Sequence, residues 1–213
     1  LLPRQMGPIQ TSSLRKDAFR VITDNPVVAY QFSPYCCNYS FSNDASLLLP
    51  TTALGTRYRF LGTPTFTLGL IPPMLAVIAN EDNTEVTVRL PDGIGIIPDL
   101  NNLNLQAQGG EVQVTMHTQD VLLLAPSSND FITPADMSGA DIESSKSVAV
   151  FSTHPCNFYP DALGACDHLE EQLIPVSTWG NGFQLVPPKE RGNNWFAEVI
   201  YWKMVAREDN TRI

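Results

Sequence analysis

The fold is decided by the stretch Met74-Leu-Ala-Val-Ile-Ala79, Asn80-Glu-Asp-Asn83, Thr84-Glu-Val-Thr-Val-Arg-Leu90. Val86 and Val88 alternate with polar residues at a period of two, which is typical of a half-buried β-strand. The polar residues between the two apolar runs are of the kind that turns prefer. The stretch therefore predicts two β-strands on either side of a short turn.

Similar patterns recur along the chain, and segments rich in Pro, Gly, Asn, Asp and Ser predict long loops at 91–108 and 125–141. The further predicted strands are Phe19–Thr23, Val27–Phe32, Glu111–Met116, Val121–Leu124, Ser147–Ser152, Phe183–Val186 and Phe196–Val205. Asp24-Asn-Pro26 predicts a hairpin turn between the first two of these. Because no stretch of helical length is amphipathic, we expect an all-β fold of β-sandwich-type repeated units, with long loops and at most one or two short helical turns.

The composition argues against several classes of protein. Only 16% of the 213 residues are charged and 17 are Pro, which is unlike a coiled coil or a helical bundle. The formal net charge of −9 leaves no basic field for nucleic acid. No apolar run reaches the about 18 residues that a membrane span needs, so we expect no insertion into a membrane.

Three short sequences recur in the same order at nearly constant spacing. Pro26–Tyr30 resembles Ser147–Phe151 at an offset of 121 residues, Pro50–Gly55 resembles Pro175–Gly180 at 125, and Ala79–Thr84 resembles Ala206–Thr211 at 127. The spacing predicts a repeat unit of about 125 residues, a usual size for a β-sandwich domain. We expect a fragment of a longer protein, divided into an N-terminal flank (1–15), the late part of a first unit (16–73), a nearly complete second unit (74–204) and the start of a further unit (205–213).

The four cysteines fall into two pairs. Cys156 and Cys166 close a short loop of turn-forming residues, and a disulfide between them implies an oxidising compartment. Cys36 and Cys37 are adjacent, so they form a strained vicinal bridge, pair elsewhere or stay reduced.

An alternative for the first pair is a zinc site. His154 and His168 each stand two residues from a cysteine, so His154, Cys156, Cys166 and His168 could converge as four ligands on extended chain. Thiolate ligands need a reducing site, however, whereas a bridge suits a secreted protein. We therefore expect the disulfide, with no metal and no cofactor.

The densest patch of functional groups runs from Asp167 to Pro175. Asp167 as N-cap and Glu170 three residues later form a capping box, which predicts a short helix that Pro175 ends. Two functional alternatives stay open for the same residues. One is a Ca²⁺ site lined by carboxylates, and the other is a metal-dependent hydrolase that uses Asp167, His168, Glu170 and Glu171.

Two blocks of sequence carry a resemblance to a known family. The first is Cys36-Cys-Asn-Tyr39 followed by Asn43-Asp44-Ala-Ser-Leu-Leu-Leu-Pro50. The second is Val148-Ala-Val-Phe-Ser-Thr-His-Pro-Cys156 followed by Cys166-Asp167-His168-Leu-Glu170-Glu171-Gln172-Leu173. From about residue 16 onward the chain resembles the N-terminal domain of IgG Fc-binding proteins.

This resemblance implies a secreted or cell-surface β-module with other domains of the same larger chain beside it, and it favours binding or adhesion over catalysis. We therefore expect a non-enzymatic extracellular module that recognises a glycoprotein or a surface polysaccharide. The expected contact residues are Phe158, Tyr159 and Asp161, in the loop between the two cysteines. A structural spacer repeat of a modular surface protein is the alternative.

Overall fold

The computed structural model describes residues 11–33, 42–65, 71–98, 105–128, 134–158, 166–187, 189 and 200–212. In this part of the chain the strands are β1 (Ser13–Lys16), β2 (Ala29–Ser33), β3 (Asp44–Leu48), β4 (Gly55–Arg59), β5 (Met74–Ala79), β6 (Thr84–Arg89), β7 (Ile94–Ile96), β8 (Glu111–Met116), β9 (Asp120–Leu124), β10 (Pro126–Ser128), β11 (Asp141–Asn157) and β12 (Asp167–Gln172). Two single turns of 3-10 helix, Thr51–Ala53 and Val176–Thr178, follow Pro50 and Pro175. The all-β prediction with one or two helical turns is confirmed.

Within the described residues, the main sheet has eight antiparallel strands, and the 17-residue strand β11 is its central member. The first part of β11, residues 141–144, lies between β4 and β6. Its later part, residues 148–153, pairs with β5, while residues 151–157 pair with β12 on the other edge. Because the register shifts between these parts, β11 changes neighbours along its length and joins all four strands.

The core lies against this sheet and contains the apolar side chains of β5, β6, β8, β9 and β11. It includes Leu75, Val77, Val86, Val88, Val112, Met116, Leu122, Leu124, Ile142, Val148 and Val150. Burial of these side chains is the main stabilising contribution, at about 25 cal/mol per Å² of apolar surface. The alternation that predicted strands at 84–89 and 111–116 is therefore the alternation between core and surface.

A buried tyrosine holds β4 to β11 where β11 changes neighbours. Tyr58 is fully buried, and its hydroxyl donates a hydrogen bond of 2.7 Å to the carbonyl of Val148. The same hydroxyl accepts one of 2.9 Å from the backbone N–H of Gly55. Gly55 itself lies so close to Pro175 that a β-carbon there would stand 2.5 Å from the Cβ atom of Pro175.

Three predicted strands are wrong in whole or in part. Phe19–Thr23 forms no strand and its side chains are exposed, so the predicted hairpin with Val27–Phe32 does not form. Instead, β2 pairs with β3. Phe183–Val186 is not in a strand, and neither are residues 200–205, the described part of Phe196–Val205. A strand needs a neighbouring strand to satisfy its backbone, and none lies beside these segments in the described residues.

The predicted capping-box helix is also wrong. Residues 167–172 form β12, which pairs with β11 from Phe151↔Gln172 to Asn157↔Asp167. The local preference of Asp167 and Glu170 for a helix start is worth about 1 kcal/mol, which a row of ladder hydrogen bonds outweighs.

The predicted unit boundaries stay a prediction. The described part of the chain contains no helix that could cross a membrane.

Candidate functional site

The predicted disulfide between Cys156 and Cys166 is present. The two residues stand at the end of β11 and just before β12, with their Cα atoms 5.1 Å apart, and they close a loop of 10 positions. Phe158, inside the loop, is half-buried and has interaction partners, whereas Tyr159 and Asp161 lie outside the described residues. Cys36 and Cys37 also lie outside them. The bridge therefore ties together the ends of two paired strands.

The disulfide excludes the two thiolate ligands that the zinc alternative requires. Both sulfur atoms are oxidised, so Cys156 and Cys166 supply no thiolate ligands. Within the described residues, no group of three or more His, Cys, Asp or Glu side chains could hold a metal ion. The prediction of a disulfide is thus the correct one of the two alternatives for this pair.

His154 is a core residue. Its side chain is buried, and its Nδ1 atom accepts a hydrogen bond of 3.2 Å from the backbone N–H of Cys156. Burial lowers the pKa of His154 to about 4, against the opposite effect of the backbone carbonyls of Pro64 and Ile71. The nearby His168 lowers this pKa further. His154 is therefore neutral at physiological pH.

The strand geometry of β12 divides the acidic cluster between two faces. Successive side chains of a strand point to opposite sides of the sheet. Asp167 and Glu171 are exposed, whereas Glu170 and Gln172 are buried and the His168 side chain is 12% exposed. The four residues proposed for a hydrolase therefore do not face one common site.

The edge of β12 that does not pair with β11 is joined to the segment 42–46, which includes the start of β3, by hydrogen bonds to side chains, a contact that we call the β3–β12 seam. The backbone N–H groups of residues 168, 170 and 172 each donate to a side chain of the segment 42–46. The pairs are His168 to Ser42 Oγ at 2.8 Å, Glu170 to Asp44 Oδ2 at 2.8 Å and Gln172 to Ser46 Oγ at 2.7 Å. Each pair is separated by 126 residues, so three side chains at a spacing of two substitute for the backbone acceptors of another strand.

Further hydrogen bonds join the side chains of β12 to the first part of the chain. Gln172 Oε1 accepts a hydrogen bond of 2.7 Å from the backbone N–H of Leu49. Glu170 Oε2 accepts one of 3.3 Å from Gln31 Nε2 and lies 3.6 Å from His168 Nε2. The other carboxyl oxygen of Glu170, Oε1, has no hydrogen-bond partner among the described residues.

Electrostatic repulsion also acts at the seam. Although Glu171 is exposed overall, its carboxyl group is partly desolvated by its neighbours, and its pKa is raised first by this desolvation and then by the negative charges of Asp44 and Glu170. Asp44 is held in place in spite of this, because its Oδ1 atom accepts a hydrogen bond of 2.8 Å from the N–H of Ala45. The neighbouring family-motif residue Asn43 is exposed.

The motif residues therefore have an arrangement suited to joining strands. Asp44, Glu170 and Gln172 use their side chains or backbone groups in contacts between β3 and β12, and Glu170 is 6% exposed. Sequence reasoning missed Ser42 and Ser46, which complete the seam, and Gln31 of β2, which donates to the Glu170 side chain. The signal available was the alternation of Ser42, Asp44 and Ser46, whose polar side chains all face one side of a strand.

Together, the curled antiparallel sheets and the disulfide at the ends of β11 and its partner β12 define an all-β module braced by a disulfide. Residues 44–213 match the family model described as IgGFc binding protein, and the chain belongs to this family. A human protein named IgGFc-binding protein is 31% identical over 140 residues, which cover 66% of this chain and 2% of that protein. No solved structure gives a significant match.

Proposed function

We propose that this chain is a non-enzymatic, extracellular binding module that recognises a glycoprotein or a surface polysaccharide through the loop between Cys156 and Cys166. The observation that carries the proposal is the position of the bridge, at the joined ends of β11 and β12. Loops mounted on a rigid sheet are where binding residues concentrate in β-modules. We assign the contacts to Phe158, Tyr159 and Asp161.

A disulfide at the base of the loop favours binding by lowering its entropic cost. Each side chain that an interface immobilises costs about 0.5–1.5 kcal/mol, and a loop that is already restrained loses less freedom. The adjacent strand β11 is paired on both edges over residues 151–153, which makes it a rigid base. Aromatic side chains such as Phe158 supply large contact areas with few rotatable bonds.

The charge of the chain limits the kind of partner. With a formal net charge of −9, the module repels polyanions at low salt, where screening is weak. Neutral glycans and the basic surfaces of glycoproteins are better matched to it. The name of the human relative states binding to IgG Fc, which is itself a glycoprotein, and this makes IgG Fc a natural probe.

The direct test is a binding measurement on immobilised probes. The probes are IgG Fc, a mucin glycoprotein, a neutral polysaccharide and, as the anionic comparison, heparin. We expect capture by at least one of the first three and none by heparin at low salt. Phe158→Ala with Tyr159→Ala should weaken that capture about tenfold or more, as the loss of a central aromatic contact does.

The matched control is Phe19→Ala, which removes an aromatic side chain that is 69% exposed and lies outside the loop. It should leave capture unchanged, and a cooperative melting transition should show that both variants remain folded. Equal capture by the loop variant and the parent would exclude the loop as the contact surface. No capture of any probe would favour the spacer alternative.

Catalysis is tested separately. We expect no turnover of glycoside or ester substrates, because His168 and Glu170 face inward while Asp167 and Glu171 face outward. Steady turnover that Glu170→Gln abolishes would overturn the non-enzymatic assignment.

A secreted or cell-surface location is supported by the Cys156–Cys166 bridge, which persists in oxidising surroundings. Other domains of a larger chain are the expected neighbours.

A further inference from the structure

The strand β11 has an irregular end beside the disulfide. Its pairing with β12 shifts in register between His154 and Asn157, and the two residues between them, Pro155 and Cys156, have no partner in that register. Proline carries no backbone N–H group. The N–H of Cys156 is therefore the donor that this shift leaves without an acceptor in the strand pairing.

The imidazole of His154 supplies the acceptor that the pairing lacks. Its Nδ1 atom accepts a hydrogen bond of 3.2 Å from the N–H of Cys156, and the His154 side chain is only 1% exposed. A neutral imidazole has one acceptor nitrogen, whereas the imidazolium ion has none. The hydrogen bond to Cys156 therefore exists only while His154 is neutral, with its proton on Nε2.

The groups around His154 do not stabilise a positive charge there. Burial and the nearby His168 of β12 both oppose protonation. The backbone carbonyls of Pro64 and Ile71 act in the opposite direction, but neither forms a hydrogen bond with Nε2. The carboxylate of Glu170 on β12 lies 3.6 Å from His168 Nε2 and is not among the groups that shift the pKa of His154.

The segment that contains His154 is also the part of β11 with the fewest neighbours. The pairing of β11 with β5 ends at Thr153↔Met74. Within the described residues, β11 beyond Thr153 pairs on one edge only, with β12. Local opening costs least where a segment has few ordered neighbours. Residues 154–157, which we call the disulfide end of β11, can therefore open while residues 148–153 stay paired on their β5 edge.

We propose that His154 is an acid-sensitive latch, whose neutral imidazole holds the disulfide end of β11 closed and whose protonation opens that end ahead of the rest of the sheet. Protonation of Nδ1 replaces an acceptor by a donor, so two N–H groups would face each other in a buried site. Opening of the strand end relieves this conflict, because it transfers the imidazolium ion to water. Histidine switches work in this way, by coupling a local change of charge to a change of conformation.

The direction of the pH effect follows from the pKa of His154 in the two states. This pKa is about 4 in the closed state and returns to about 6.5 when the side chain is in water. Between these values the open state binds more protons, so a lower pH favours it. The ratio of open to closed molecules should rise about tenfold for each pH unit between 6.5 and 4, and it should change little above and below this range.

The latch would regulate the loop that we propose as the contact surface, and this consequence rests on that proposed function. The bridge attaches one end of the loop to Cys156, whose N–H is bound by the latch. A binding loop whose base opens has more freedom to lose when it binds, which weakens affinity. We therefore expect the module to release its ligand in acid.

Amide hydrogen exchange, corrected for its intrinsic dependence on pH, tests the latch without a ligand. In the parent chain the N–H of Cys156 should exchange about tenfold or more faster than that of Phe151, which lies where β11 is paired on both edges. Its protection should fall about tenfold for each pH unit between 6.5 and 4. His154→Asn keeps an acceptor oxygen near the position of Nδ1 but does not titrate, so it should abolish this pH dependence. His117→Gln, at an exposed histidine, should preserve it.

Two outcomes would overturn the latch. Equal protection of Cys156 and Phe151 at every pH would show that this end opens only when the whole fold unfolds, and this comparison needs no variant. Parallel pH profiles of Cys156 exchange in the parent chain and in His154→Asn would show that another group titrates.

Capture of the immobilised probes named above, between about pH 6.5 and pH 4.5, tests the regulation of binding. We expect capture by the parent chain to weaken about tenfold or more, and capture by His154→Asn to weaken much less. Equal weakening would overturn the regulation of binding. No capture at any pH would contradict the proposed function instead, and amide exchange would then decide the latch by itself.

Discussion

Asp44 and Glu170 are 126 residues apart in the chain, yet the carboxylate of Asp44 accepts a hydrogen bond of 2.8 Å from the backbone N–H of Glu170. The contact lies at the centre of the β3–β12 seam, between Ser42–His168 on one side and Ser46–Gln172 on the other. Glu170, which the sequence alone suggests as a metal-binding or catalytic residue, thus serves together with Asp44 to connect two strands.

Removal of the Asp44 carboxylate should destabilise the fold. We expect Asp44→Ala to lower the free energy of unfolding by about 2 kcal/mol, because the N–H of Glu170 loses a charged acceptor and stays buried. Asp44→Asn keeps an acceptor oxygen and should cost less. Urea denaturation measures both, and the exposed neighbour Asn43 gives the control Asn43→Ala, which should change stability by less than about 0.5 kcal/mol. A loss for Asp44→Ala no larger than that of the control would contradict the role of the seam.

Stability should fall in mildly acidic solution because His154 is buried and neutral. Its pKa is about 4 in the folded chain and about 6.5 when unfolded, so between these values the unfolded state binds more protons. The stability contribution is fully present above pH 6.5 and is lost as the pH falls toward 4, by about 3 kcal/mol in total. The raised pKa of Glu171 acts in the opposite direction, since protonation favours its folded form at low pH.

Denaturation curves at several pH values measure this effect in the parent chain and in His154→Gln. The variant lacks the titrating group, so its stability should depend less steeply on pH between 4 and 6.5. His117→Gln is the control, because His117 has a side chain that is 55% exposed. Parallel pH profiles for the parent and His154→Gln would contradict the assignment. The contribution of Glu171 is common to both proteins and cancels in the comparison.

Loss of the disulfide should clearly lower the free energy of unfolding, although the loop that it closes is short. In the chain-entropy account, a closed loop of this length contributes about 3 kcal/mol, so Cys156→Ser with Cys166→Ser should reduce stability by about that amount. Peptide mapping after alkylation without reductant should give the peptides of Cys156 and Cys166 linked and unalkylated. Recovery of both peptides as alkylated thiols, from protein made in an oxidising compartment, would contradict the bridge.

The hydroxyl of Tyr58 should contribute to the stability of β4. Tyr58→Phe removes the donor to the Val148 carbonyl and the acceptor for the Gly55 N–H, and we expect a loss of about 1–3 kcal/mol. Tyr30→Phe is the matched control, because Tyr30 is exposed and its loss of a hydroxyl should be nearly neutral. Thermal denaturation of both variants makes the comparison, and equal melting temperatures would argue against the role of this hydroxyl.

Local sequence was sufficient where a strand shows period-two alternation or a short, continuous apolar run beside a turn. Glu111–Met116 forms a strand with the predicted bounds, and Met74–Ala79 does the same. The bridge was also predictable, because Cys156 and Cys166 are close in the chain and the loop between them contains turn-forming residues. Each of these features depends on neighbours within a few residues.

Only the tertiary structure decided the features that depend on a distant partner. Asp167 and Glu170 carry the pattern of a helix start, yet they lie in a strand because β11 offers a ladder of hydrogen bonds beside them. Phe19–Thr23 carries the pattern of a strand and has none, because no strand lies beside it in the described part of the chain. The seam joins Asp44 to Glu170 across 126 residues, and local propensity cannot predict a contact between residues so far apart in the chain. Buried backbone N–H and C=O groups need hydrogen-bond partners, so a segment adopts the conformation in which partners are present. A partner that is distant in the sequence cannot be identified from the residues around the segment.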